Sequence, residues 1–247
     1  MINAILFDLD DTLLGNDMDD FIPAYFDMLG NYVAPRYPKE KFLPALLQGT
    51  EAMIANQNTA VSNREAFWHT FQQLTGLGID DLEAYIQTFY EEQFPQLQPV
   101  AQYRPVAVDL VQACLDNGWQ IVVATNPLFP RVAIEHRLEW AGVPVTQFPY
   151  ALVTTYENMS ATKPHPAYYR QILEKIGLAD APETAVMIGN DWANDIEPAA
   201  SLGMHTYWVT DRNMPPQNPD QVTAYGTLSQ LYQKLKNGWP LGEGGKG

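Results

Sequence analysis

Apolar and polar positions follow two different rhythms along this chain. Ile2, Ala4, Ile5, Leu6 and Phe7 form an apolar run with β-branched and aromatic members, which predicts a buried strand. From about residue 15 to 98 the period becomes helical, with patterns at about 19–30, 38–57, 63–75 and 80–93 and no convincing strand. Tyr25, Phe26, Phe67, Trp68, Phe71, Phe89 and Tyr90 recur at helical spacing; such a stripe reads as helix-bundle core more readily than as a ligand box. Asp80 and Glu83 have the spacing of a capping box at the start of the fourth helix. Phe94-Pro95-Gln96-Leu97-Gln98-Pro99 carries two prolines and reads as a linker.

Past this linker, helical and extended patterns alternate. Helices are expected at about 106–116, 129–140, 166–176, 196–202 and 228–235, the first four stopped by Gly118, Gly142, Gly177 and Gly203. Strands are expected at 120–124, 151–153, 185–188 and 206–209. This alternation argues for an α/β core with a parallel sheet covered on both faces. The chain divides into a core of residues 1–14 and 99–236, a helical domain of residues 15–98 inserted after the first strand, and a tail at 237–247 ending in a flexible GEGGKG.

Composition narrows the partners. The 247 residues suffice for one large domain, or for a core with a smaller companion. The net charge of -15 repels nucleic acid and anionic membranes, so neither is an expected partner. It leaves a phosphorylated substrate open, because local cations neutralise an anion inside an acidic protein. Cys114 is the only cysteine, which excludes an intrachain disulfide; its apolar helical setting predicts a packed thiol. There is no signal-peptide pattern and no run approaching 18 apolar residues, so a cytoplasmic location is expected.

Polar residues cluster where the strands end. Asp8, Asp10, Asp11 and Thr12 follow the first strand directly. Along an extended chain Asp8 and Asp10 share a side. Carboxylates crowded behind a core strand are costly unless paired, hydrated or holding a cation. One could attack an electrophile while the other carries a proton; the plain alternative is an acidic turn. Thr125 and Asn126 follow the strand ending at Ala124, where a hydroxyl and backbone N–H groups can hold a phosphoryl oxygen, or can simply make a turn or helix cap. Lys163 precedes Pro164, which favours an extended backbone in a loop over a helix surface. His165 reads as a capping or surface residue. After the strand ending at Ile188, Gly189-Asn190-Asp191-Trp192-Ala193-Asn194-Asp195 offers two carboxylates four apart at a loop-to-helix junction, a setting that suits a hard cation such as magnesium.

These four clusters, in this order, resemble the four motifs of the haloacid dehalogenase-like (HAD) hydrolase superfamily, in its phosphatase branch with a helical cap of the C1 type. The resemblance spans roughly 1–14 and 99–236; for the cap it covers position and helical character only. It implies a Rossmann-like parallel sheet with an inserted α-helical cap that closes over the site and selects substrates. It implies Asp8 as nucleophile, Asp10 as general acid/base, and Thr125, Asn126 and Lys163 as phosphate-binding residues. Mg2+ would be held by Asp8, by the backbone carbonyl of Asp10 and by Asp191, with Asn190 as an alternative ligand and Asp195 fixing the loop behind it. The last motif departs from its commonest form, in which Asp directly follows Gly; here Asn190 stands there and Asp191 comes one place later. True dehalogenases of the superfamily usually lack the second Asp of the first motif, which is present here.

The resemblance therefore implies hydrolysis of a small-molecule phosphate monoester through an aspartyl-phosphate, the partner being a small phosphorylated metabolite. The competing readings are a phosphosugar mutase and a non-catalytic phosphate-binding or regulatory protein of the same fold.

Overall fold

The computed structural model describes residues 1–211, 216 and 218–238, the side chain of Asp80 excepted. The GEGGKG end lies outside the described residues. The first apolar run forms strand β1 (Ala4–Phe7), all four residues buried. It is followed by four helices, α1 (Met18–Val33), α2 (Lys39–Ala55), α3 (Asn63–Thr75) and α4 (Ile79–Glu92). Then come α5 (Pro105–Asp116), β2 (Gln120–Val123), α6 (Arg131–Trp140), β3 (Leu152–Val153), α7 (Pro166–Lys175), β4 (Ala185–Gly189), α8 (Glu197–Ser201), β5 (His205–Val209), β6 (Ala224–Gly226) and α9 (Leu228–Lys236).

The strands form one sheet in the order β3-β2-β1-β4-β5-β6, every pairing parallel. Side-chain alternation feeds two apolar layers. Ile5 and Phe7 of β1, Ile121 and Val123 of β2, and Val186 and Ile188 of β4 face one layer with Leu110, Leu138 and Leu231. Ala4, Leu6, Val122 and Met187 face the other, with Tyr168, Tyr169 and Ile172 of α7 and Ala199 of α8. Strand order reverses direction at β1, so the crevice beyond the carboxyl ends of β1 and β4 is the natural ligand site of such a sheet. This is the expected α/β architecture, a Rossmann-like parallel core with a helical cap inserted after β1.

Several local expectations are corrected. The linker expected at 94–99 is a 3₁₀ helix, Phe94–Val100, with Phe94 and Leu97 buried. Proline suits the first turn of a helix as well as a linker, and Phe94 stacks on Trp140 of α6 at 5.5 Å. The capping box expected from Asp80 and Glu83 rests on a side chain outside the described residues; α4 starts at Ile79 behind Gly78, which puts position 80 inside the helix, and Glu83 pairs with Arg64 of α3. A reciprocal box does exist at α3, between Ser62 and Glu65. The short edge strand β6 was not expected from the pattern. The four glycine stops hold, each with φ between +75° and +84°.

The cap does not own a separate core. Phe42, Phe71 and Phe89 belong to the same continuous apolar cluster as Ile5 and Phe7. Tyr25 meets Phe129 edge-on at 5.4 Å across the join. The two connections between cap and core are clasped together. Gly15 donates to the Gln102 carbonyl at 2.9 Å, and Gln102 donates back to the Gly15 carbonyl at 2.5 Å. A Cβ at position 15 would lie 2.9 Å from that of Gln102, so the close approach calls for glycine. Cys114 is buried, and burial pushes its thiol up to about 12. Among the described residues no helix is long and apolar enough to cross a membrane.

Candidate active site

β1 ends at Phe7, and Asp8 continues it by donating its N–H to Ile188 O at 2.9 Å. The nucleophile candidate is thus held by the sheet itself. The chain turns sharply at Asp11, whose φ of 56° lies in the left-handed region that Asp tolerates better than most residues. Arg104 secures the turn by donating to the carbonyls of Asp11 at 2.6 Å and Thr12 at 3.0 Å.

Lys163 sits at the centre. Its Nζ donates to Asp8 Oδ1 at 2.8 Å and to Asp195 Oδ1 at 2.6 Å. All three side chains are buried. Burial is the largest influence on each. It raises the Asp8 carboxyl from 3.8 to about 7, against the pull of Lys163 and with a push from Asp195. It raises Asp195 as well, again opposed by Lys163. For Lys163 burial acts downward, but the two carboxylates outweigh it and hold the ammonium well above its ordinary range. The Lys163–Pro164 bond is cis. The Lys163 N–H donates to Asn126 Oδ1 at 3.2 Å, which ties the second and third clusters together.

Thr125 is buried, and its carbonyl accepts from Thr154 Oγ1 at 2.7 Å and Tyr168 OH at 2.8 Å. These bonds anchor the loop after β2. After β4, Asn190 accepts from Thr12 Oγ1 at 3.1 Å. The exposed Asp191 caps a π-helical turn, Trp192–Ile196, accepting from Asn194 N at 3.0 Å and Asn194 Nδ2 at 2.7 Å. Asp195 accepts the Asp191 N–H at 3.0 Å. Its carboxylate lies directly over Gly189, where a Cβ would come within 2.2 Å of Oδ2. His165 is only the residue before α7, without a side-chain capping bond.

Two residues were missed in the sequence. Arg137 of α6 is 1% exposed and donates to Asp10 Oδ2 at 2.5 Å. Asn16 donates to Asp10 Oδ1 at 2.7 Å. Both Asp10 oxygens therefore have a fixed aim. A signal existed: Arg137 lies four residues after Ala133 and three after Ile134, on the buried face of its helix. Its guanidinium also lies over the Phe129 ring, 4.8 Å from the centroid.

All eight residues singled out in the sequence, Asp8, Asp10, Thr125, Asn126, Lys163, Asn190, Asp191 and Asp195, line one cleft of about 390 Å³. Seven carboxylates and two cations face it. Among the described residues no three His, Cys, Asp or Glu side chains form a ready metal cage, and the Asp10 carboxylate is turned to Arg137 and Asn16. The donors are nevertheless all oxygen, in strong negative excess, a set that fits a hard divalent cation.

Comparison with known proteins agrees with this geometry. The family profile of haloacid dehalogenase-like hydrolases matches residues 2–203. A relative named pyrophosphatase PpaX, from Bacillus pumilus, is 26% identical over 208 residues, 84% of this chain and 83% of its own. A 2-haloacid dehalogenase structure from Pseudomonas syringae superposes with a TM-score of 0.63 at 20% identity, over 96% of this chain and 99% of that one. A HAD phosphatase structure from Thermococcus onnurineus gives 0.58 at 21% identity, over 98% and 100%. At such identities the two structures speak for the fold alone. With its sheet-held aspartates, buried lysine and matching profile, the chain belongs to the haloacid dehalogenase-like hydrolase family.

Proposed function

We propose that this protein is a magnesium-dependent phosphatase of small phosphate monoesters, working through an aspartyl-phosphate. The observation that carries the reading is the buried Asp8–Lys163–Asp195 triad at the carboxyl edge of the sheet, with Asp10 two residues beyond the nucleophile. Asp8 Oδ2 is free of Lys163 and is the oxygen left to attack phosphorus in line. Asp10, aimed by Arg137 and Asn16, would give a proton to the departing alkoxide and then take one from the water that cleaves the acyl phosphate. Lys163 and the N–H groups around Thr125 and Asn126 would hold the phosphoryl oxygens. Positioning and charge supply most of the acceleration in such transfers.

The cation would be held by Asp8, the Asp10 carbonyl and Asp191, with Asn190 as alternative and Asp195 behind the loop. When bound, it would offset phosphate charge beside the nucleophile. Superfamily members generally use Mg2+, in keeping with the oxygen-only donors. The cap over the cleft limits substrate size, which favours small metabolites over phosphoproteins. The relatives' name brings inorganic pyrophosphate into the substrate panel.

A p-nitrophenyl phosphate assay with and without magnesium tests the reading. We expect metal-dependent turnover that Asp8→Asn abolishes while the fold is kept. Full turnover by a folded D8N sample, with deamidation excluded by mass spectrometry, would falsify the nucleophile assignment.

A further inference from the structure

The charged cleft adjoins a second cavity of quite different character, about 230 Å³ in volume. Met18, Leu128 and Phe129 line both. The far walls come from all four cap helices, including Ile22 of α1, Leu46 of α2, Phe71 of α3 and Ile86 of α4. No charged side chain lines this cavity. Its hydroxyls are already engaged. Tyr25 and Tyr90 bond to each other at 2.7 Å, Thr50 donates to Leu46 O at 3.0 Å, and Tyr156 donates to Glu83 at 3.2 Å.

Protein interiors pack densely, with few voids larger than a water molecule. An apolar cavity of roughly 150 Å³ stays dry and binds benzene, so this one has room for a ring or a short chain. Apolar walls give water too few polar partners to hold it. The aromatic stripe of the cap is thus only partly bundle core: Tyr25, Phe67, Trp68, Phe71 and Tyr90 also enclose space.

We infer that the substrate is a monophosphate ester of an apolar alcohol, alkyl or aryl, whose phosphate sits against Asp8 and Lys163 while its hydrocarbon part enters the cap cavity past Met18 and Phe129. This rests on the phosphatase reading and specifies its leaving group. An apolar alcohol fits because these walls are almost wholly hydrocarbon, the indole N–H of Trp68 being their one unpartnered polar group among the described residues. A polyol or a second phosphate would be stripped of water there with a single indole N–H to replace it.

The test is a series of n-alkyl phosphates from ethyl to hexyl, with 2-phenylethyl phosphate, glycerol phosphate and pyrophosphate alongside, assayed with magnesium. Wild-type kcat/KM should climb about fourfold per methylene while the chain is being buried. Ile22→Trp and Leu46→Phe fill the cavity from different helices and should bring the hexyl-to-ethyl ratio toward one. 1-Hexanol should compete with hexyl phosphate in the wild type and lose that effect in the variants. A flat alkyl series overturns the inference, as does a preference for glycerol phosphate or pyrophosphate over hexyl phosphate. A climb that persists in a folded filling variant also overturns it. If both variants fail to fold, the wild-type series and hexanol competition still decide. If no ester is hydrolysed, the phosphatase reading fails, and calorimetry then reads the cavity separately. Hexyl phosphate binding tighter than ethyl phosphate, with a negative heat-capacity change, supports it; equal binding sinks it.

Discussion

Replacing Lys163 by Met keeps most of the side-chain stem and removes the charge between Asp8 and Asp195. Two buried carboxylates then face each other unpaired. Removing one partner of a buried ion pair costs about 3–5 kcal/mol. For a protein of this size that lowers Tm by roughly 6–20 °C. The penalty must depend on pH, and its sign follows from the shifts. Burial already places Asp8 at about 7 and raises Asp195, although Lys163 pulls both down. Without Lys163 both rise further. A carboxyl whose folded value exceeds its unfolded one binds more protons in the native state. Its stabilising contribution is full below the unfolded value near 3.8 and is lost as pH rises through the folded value. Each proton carries about 1.4 kcal/mol per pH unit. Up to about pH 7 the wild type loses stability through Asp8 at the same slope, so this carboxyl separates the two proteins only above that, by about 1.4 kcal/mol per pH unit until the variant's own carboxyl ionises. Thermal melts of wild type and K163M in a chelator, at half-unit steps from pH 5 to 8, measure this. The gap between them should widen above about pH 7. An equal gap at both ends, or one under about 2 °C throughout, refutes the buried-triad argument.

Three further outcomes are expected. Arg137→Met frees the aim of Asp10 and should lower kcat about 10²-fold with a smaller effect on KM, read by steady-state kinetics; an unchanged kcat leaves Arg137 a packing residue. Gly189→Ala drives a methyl into the Asp195 carboxylate and should cost about 1–3 kcal/mol in urea unfolding, so an unchanged midpoint contradicts the packing described. Asp191→Ala should raise the magnesium concentration needed for half-activity more than Asp195→Ala does, and the reverse ranking in a titration moves the direct ligand to Asp195.

How much could be read from the chain depended on whether local pattern or distant contact decided each feature. β1 and Asp8 were legible because an apolar run ending in carboxylates is a local signature. Glycine stops were legible for the same reason. The segment from Phe94 to Val100 misled, because its prolines suit both a linker and a 3₁₀ turn, and the stack of Phe94 on Trp140 decides between them. Glu83 pairs with Arg64, a partner on another helix that local spacing does not show. β6, with three residues at the sheet edge, is too short for a period to show. Arg137 was missed because a lone arginine on a helix reads as a solvated charge, and only its place on the buried face marks it. The Asp8–Lys163–Asp195 contact joins residues far apart in sequence, so types and order could suggest it while distances could not.

The clasp between Gly15 and Gln102 bears on how the chain reaches its native state. β1 pairs with β2 in the register Ala4 to Gln120, roughly 116 residues apart, and such distant pairing slows folding. On a ribosome, β1 emerges well before its neighbour and waits, an apolar segment with unpaired edges. Closing the Gly15–Gln102 pair before β1 meets β2 would shorten the remaining loop roughly fourfold, saving about 1.2 kcal/mol of closure entropy. The inserted helices would then act as an internal splint for the sheet. Slowing the clasp should leave nascent chains exposed longer, so Gly15→Val should show itself first in the refolding rate and in aggregation yield rather than in the chemistry of the finished site.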